Sequence, residues 1–325
     1  MINALYSDTD NKNQESNQFI CSGNTMGTTY EVKIDKYISL DKQKYIEKGI
    51  DSILYHINQS MSTYVSDSEI SFINQYDGPS IVLSDSFDEV LSASLYYNQI
   101  TEGVFDVTIK PLLELWGFRG SSISKRPDST KIKNIMEYIG SDKISYDPTN
   151  KILIKHHPKV QFDFGAIAKG YAVDQISLYL EELSYKIYYV EIGGEIVCKG
   201  KKWYINIAYP EFDSNKNYKA IVLSNHAVAT SGTYNQFFEI DDFEYSHIFD
   251  PRTGEPSQNN TVSVTVVSPK CIDSDALSTS LKVLHKEKGI KLIDSIKGVE
   301  CMFIVKEGQE LKNYYSKNFS NFFAN

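Results

Sequence analysis

The chain has 325 residues, 41% hydrophobic and 23% charged, which fits a folded globular protein and excludes a disordered or fibrous one. A net charge of −9 argues against a general nucleic-acid footprint, and no apolar run reaches the length that spans a bilayer. The four cysteines, Cys21, Cys198, Cys271 and Cys301, make no C-x-x-C pair, so neither a zinc site nor a thioredoxin-type motif is supported and four separate, mostly buried thiols are expected.

In chain order, residues 1–22 read as a flexible polar leader. The start has neither the basic nor the apolar region of a signal peptide. It fits a cytoplasmic chain or one whose export signal has been removed. Thr28–Ile34 alternates and predicts a strand. Asp41–Met61 carries Ile46, Ile50, Ile53, Leu54, Ile57 and Met61 at helical spacing. Ser86 to Glu89 reads as a capping box opening a second helix that stops near Gly103. Residues 119–133, polar and containing Pro127, read as a loop or insertion. Val160–Phe164 predicts a short strand, running through Gly165 into a helix with the stripe Val173, Ile176, Leu180 and Leu183. Strands follow at 187–192, 203–208, 220–223, 227–230 and 262–267. A helix at Asp275, the segment 290–296 and a strand near 302–305 complete the chain. Strands and helices mix without regular alternation, which predicts an α+β fold of mixed sheets and packed helices in two lobes of one compact unit, residues 23–325.

Six segments carry candidate chemistry. Asp275 and Thr279 stand four apart and share a face if helical. A carboxylate and a hydroxyl suit Mg2+, which takes oxygen ligands and shares its shell with phosphate. The alternative is an Asp that complements the helix dipole. Phe162–Tyr171 runs from strand through Gly165 and Ala166 into a helix start. The unpaired N–H groups there, with Lys169, outline a pyrophosphate cradle, or else an ordinary strand–helix turn. No Walker loop is present. Asp163-Phe164-Gly165 matches the kinase metal motif in letters only, because the catalytic loop and Gly-rich loop are absent.

Asp106, within Gly103–Phe118, lies among apolar neighbours and needs a partner. It can hold a ribose hydroxyl or ring N–H, or bond nearby backbone amides. His247, near Asp250 and the hydroxyl-rich run Ala229–Tyr234, reads as a general base, a phosphate contact or a structural histidine. Met26 and Tyr64 offer a soft and a flat surface to an aromatic ring, or simple packing.

Together, and in this order, these segments resemble the FAD:protein FMN transferases, the ApbE-type flavin transferases with their T-fold-like architecture. The resemblance rests on Thr25–Tyr30, Met61–Tyr64, Gly103–Phe118, Asp163–Asp174, Glu191–Gly194, Ala229–Tyr234, Ser246–Gly254 and Asp275–Thr279. It implies an enzyme that binds FAD and Mg2+, transfers FMN to a Thr or Ser hydroxyl of a target flavoprotein and releases AMP. It further implies Mg2+ ligands at Asp275, Thr279 and the Ala166 carbonyl. Flavin and adenosine contacts would be Met26, Tyr64, Val104, Phe105, Asp106, Asp163 and Lys169, with His247 in catalysis beside Asp275. Family members commonly work at the periplasmic face of the bacterial inner membrane, often as lipoproteins. This chain departs there, since Cys21 has no apolar stretch before it and a membrane link would need a lipid anchor that has been lost. Two other readings keep the same site: a Mg2+-dependent FAD pyrophosphatase giving FMN and AMP, and a non-catalytic flavin-binding protein.

Overall fold

The computed structural model describes residues 18–120, 123, 125–207, 219–232, 237–240 and 243–324. Eight antiparallel strands form the main sheet. They are β1 (Phe19–Thr25), β2 (Thr28–Ile34), β3 (Tyr188–Ile192), β4 (Glu195–Lys199), β5 (His226–Gly232), β6 (Thr261–Ser268), β7 (Glu300–Glu307) and β8 (Glu310–Tyr315). Their order across the sheet is their order along the chain. The helices enter as insertions between consecutive strands. Six lie between β2 and β3: α1 (Leu40–Met61), α2 (Glu69–Gln75), α3 (Asp85–Ile100), α4 (Lys110–Leu115), α5 (Ser129–Met136) and α6 (Ala168–Glu182). Two more, α7 (Cys271–Leu284) and α8 (Lys286–Ile293), separate β6 from β7.

The period-2 alternation of the strands sorts side chains onto two cores. Val190, Val197, Ala227, Val264, Val266 and Phe303 face the helices. Their neighbours Tyr189, Ile196, Cys198, Val228, Val267 and Met302 face the opposite side, where a hairpin of Trp203–Ile207 and Lys219–Leu223 covers them together with Phe319. Both faces are buried, so these strands read as near-continuous apolar runs. A third, smaller core of Leu113, Trp116, Ile132, Tyr245 and Phe249 stands apart. The α+β expectation therefore holds, with one continuous sheet as its spine.

Several local expectations shift. The first strand begins at Phe19, so residues 19–22 belong to the sheet and not to a leader. Phe19 and Cys21 are buried there against β2. Residues 1–17 lie outside the described residues. The cap of α3 is Ser84, whose hydroxyl accepts from the Phe87 N–H, and Ser86 lies inside the helix. Glu69 fixes that cap from α2 by accepting from the Ser84 N–H at 2.8 Å. Part of the expected loop at 119–133 is helical from Ser129, capped by Asp128. Residues 160–164 make no strand. Asn74 holds them instead, donating to the Phe162 carbonyl at 2.9 Å and accepting its N–H at 2.6 Å. A strand at 195–199 went unread between Gly194 and Gly200. All four thiols are free and buried, as expected.

Candidate active site

Two helices cross over the sheet and set the interior of the site. They approach at Gly170, where a Cβ would stand 2.5 Å from the Cys271 carbonyl oxygen and 2.7 Å from the Asp275 Cβ. Only glycine permits that spacing. The start of α7 is capped from the neighbouring helix: Asp174 accepts the Cys271 and Ile272 N–H groups at 2.8 and 2.9 Å. Burial pushes the Asp174 carboxyl up to about 6, even with those two bonds favouring its charge. Helix α7 thus begins at Cys271, which places Asp275 in its second turn, 3% exposed. The alternative role, a first-turn complement to the helix dipole, falls to Asp273, which accepts from the Tyr97 hydroxyl at 2.5 Å.

Asp275 Oδ2 accepts the Gly170 N–H at 2.8 Å. In an unbroken helix that N–H would go to the Ala166 carbonyl. The helix starts instead at Ala168, and the Ile167 and Ala168 amides both turn back to Phe164. The Ala166 carbonyl is therefore released from the helical bond that the Gly170 N–H would have made to it. One turn further on, the Thr279 hydroxyl meets the Ser231 hydroxyl of β5 at 3.1 Å, and Ser231 also meets Ser278 at 2.8 Å.

Lys169 joins this group from α6. Its Nζ lies 2.6 Å from Glu195 Oε1 and 4.0 Å from Asp275 Oδ1. Burial works against the ammonium, but the Asp275 and Glu195 carboxylates outweigh it and hold Lys169 above the usual lysine range. Burial pushes Glu195 up from the ordinary carboxylate range, and its Oε2 is buried with no hydrogen-bond partner among the described residues. Glu195 is the residue that the sequence reading passed over. Its signal was present, since it follows the Gly193-Gly194 turn directly.

The outer part of the site rests on loops. Asp163 is clamped by Arg119, with Nε at 2.9 Å and Nη2 at 3.3 Å, and it also accepts the Gly165 N–H at 2.8 Å. Burial opposes the Arg119 charge, yet Asp163 holds the guanidinium above its usual range. The same guanidinium lies 5.3 Å from the ring centroid of Tyr64, which is 77% exposed. Arg119, read only as the start of a loop, is thus the bridge between two expected contact residues.

Met26 sits at φ 51° in the β1–β2 turn, beside an open concavity of about 480 Å³ lined by residues 24–29. Val104 and Phe105 are buried. Asp106 is largely spent on its own chain: it accepts from the Thr108 N–H and hydroxyl, the Ser141 N–H and the Asn98 amide. Burial raises its carboxyl. These bonds tie α3, the Gly103 loop and the 141 turn together. His247 is half-buried, 6.3 Å from Phe118 between ring centroids, on the small third core. Trp116 anchors that core by donating from Nε1 to the Gly254 carbonyl at 3.1 Å. Ser231 and Gly232 end β5, while Thr233 and Tyr234 of the same run lie outside the described residues.

Among the described residues, no group of three or more His, Cys, Asp or Glu gathers to hold a metal. A cation would rest here on one carboxylate, one alcohol and one main-chain oxygen. That all-oxygen set fits Mg2+, which keeps its remaining positions for water and phosphate. The released Ala166 carbonyl and the unpartnered Glu195 Oε2 are the observations that favour the fit.

The ApbE family model matches residues 26–303. An FAD:protein FMN transferase of Vibrio cholerae is 36% identical over 313 residues, covering 93% of this chain and 92% of the relative. One of Haemophilus influenzae is 39% identical over 295 residues, covering 86% and 85%. Among solved structures, the flavin transferase ApbE from Vibrio cholerae superposes with a TM-score of 0.87 at 35% identity, over 94% of this chain and 99% of that one. The apo flavinyl transferase ApbE of Pseudomonas stutzeri gives 0.83 at 33% identity, over 94% and 96%. With the family model, the relatives and the solved structures all matching over most of its length, the chain belongs to the ApbE family.

Proposed function

We propose that this chain transfers FMN from FAD to a Thr or Ser hydroxyl of a target flavoprotein and releases AMP, with Mg2+ as cofactor. The observation that carries the reading is the gathering of Asp275, Thr279, Lys169 and the freed Ala166 carbonyl where α6 meets α7. The names of the relatives support the flavin and the transfer.

In the reaction the acceptor oxygen attacks the FMN phosphorus and forms a phosphoester. The bond from that phosphorus to the bridging oxygen breaks, and AMP departs with the electron pair. The hydroxyl proton passes to a ring nitrogen of His247. Lys169 lends positive charge beside the diphosphate. Asp163, fixed by Arg119, accepts from a donor on the ligand, and the exposed Tyr64 face stacks on a flat ring. Asp275, Thr279 and the Ala166 carbonyl would hold Mg2+, whose chemistry is to neutralise the charge developing on the diphosphate.

The test supplies FAD and Mg2+ with and without a domain bearing an acceptor Thr. Transfer requires AMP release that depends on the acceptor, together with covalent FMN on that domain by mass spectrometry. Equal AMP release without the acceptor would make the enzyme a pyrophosphatase. FAD recovered uncleaved in both arms would make it a flavin-binding protein.

A further inference from the structure

Glu195 opens β4 immediately after the Gly193-Gly194 turn, and it is 5% exposed. The two glycines adopt φ of 62° and 105°, so the turn is built for backbone that other residues avoid. That turn delivers a carboxylate into the interior beneath α6. One oxygen, Oε1, takes the Lys169 ammonium at 2.6 Å, and the other, Oε2, has no partner. A buried carboxylate oxygen without a donor is costly, and it persists where something absent from the bare protein completes it.

Lys169 is the reason that completion matters. Its ammonium lies 4.0 Å from Asp275 Oδ1. Asp275 Oδ2 is already committed to the Gly170 N–H. Oδ1 is therefore the oxygen that a cation can use, and a lysine competes for it at close range. A short Lys169–Glu195 contact and a long Lys169–Asp275 contact mean that Glu195 wins the lysine.

We propose that Glu195 is a positioning residue of the metal site: it draws Lys169 away from Asp275, so that the Asp275 carboxylate stays open to a divalent cation, and it offers Oε2 to a water of that cation's shell. The inference rests on the metal-dependent reading given above. Hydrated Mg2+ and Mn2+ keep several waters, and carboxylates beyond the direct ligands orient such waters. Glu195 touches neither the flavin nor the phosphates in this role. It acts through Lys169 and through that water.

The experiment titrates Mn2+ alone into the intact chain and reads the bound ion from loss of the free-ion paramagnetic resonance signal. Three proteins are compared: wild type, Glu195→Gln, and the double variant Glu195→Gln with Lys169→Met. Glu195→Gln should weaken Mn2+ binding by about 10-fold or more, the range seen when outer partners of a metal site are lost. In the double variant the competing ammonium is gone, and affinity should return to within about threefold of wild type, well inside that range. A packing role for Glu195 predicts no such rescue. The double variant also keeps the net charge that Lys169, Glu195 and Asp275 have in wild type, so it tests the idea even if the single variant folds poorly. Wild-type affinity in Glu195→Gln would overturn the inference, as would a double variant that binds as weakly as the single one. Failure of the wild-type chain to bind Mn2+ would remove the metal-dependent reading and this inference with it.

Discussion

Lys169 and Lys282 lie on packed neighbouring helices, and their surroundings push them in opposite directions. Lys169, at the start of α6, is met by two carboxylates and stays charged more firmly than a free lysine. Lys282, near the end of α7, has 0% exposure and, among the described residues, meets no carboxylate. Its Nζ lies 3.3 Å from the Asn259 amide oxygen. Burial alone draws it down to about 8. The two regions therefore treat the same side chain differently. Around Lys169 the chain assembles opposite charges at a desolvation cost, and that is where the diphosphate chemistry is proposed. Around Lys282 it buries a cation with no carboxylate to meet it among the described residues, and the cost falls on stability.

Asp275→Ala breaks the first region most directly. It should lower FMN transfer by about 10²–10³-fold, the scale expected when a fixed charge-stabilising group is lost, with thermal unfolding still cooperative. Activity near wild type in Mg2+ would sever Asp275 from the site.

The second region gives the next effect. The folded value of Lys282 lies below the free value of 10.5, so the unfolded chain binds more protons between about pH 8 and 10.5. The penalty from Lys282 is full below about pH 8 and fades as pH rises toward 10.5, and its size is about 3 kcal/mol. Lys282→Met should therefore stabilise the fold at pH 7 by about 2–3 kcal/mol, with the gain shrinking toward pH 10.5. Denaturant unfolding of variant and wild type across that range measures the difference. A gain that does not change with pH would mean that Lys282 titrates as an ordinary solvated lysine.

Gly170→Ala sharpens the contrast by testing packing without charge. The added methyl meets the Cys271 carbonyl oxygen at 2.5 Å, so a loss of about 1–3 kcal/mol is expected. Transfer should fall too, because the contact moves Asp275. Unchanged stability would show that α6 and α7 can part freely. The smallest effect belongs to the rim. Tyr64→Ala should weaken FAD binding by about 10-fold and leave the unfolding midpoint where it was, since the ring is mostly exposed. Fluorescence quenching of FAD reads the first quantity and thermal melting the second.

Much of the candidate site was legible because its parts are short and local. Asp275 and Thr279 share a helix face by spacing alone, and the run from Phe162 to Tyr171 reads as a turn into a helix. The apolar stripe of α1 likewise announces itself, with Ile46, Ile50, Leu54 and Ile57 all buried. The errors fell where a distant partner overrode local preference. Phe162 is extended in sequence terms, yet Asn74 takes the hydrogen bonds that a neighbouring strand would have made. Ser86 looked like a cap, but Ser84 has Glu69 behind it.

The sequence by itself carried the motifs through which the family is recognised and the residue types that chemistry on a diphosphate needs, because each motif is a short local run. Only the tertiary structure decided that Gly170 gives its N–H to Asp275, that Arg119 joins Asp163 to Tyr64, and that Glu195 faces Lys169. Those pairings depend on which strand lies beneath which helix. That register comes from burying both faces of one sheet at once, a condition no single segment carries.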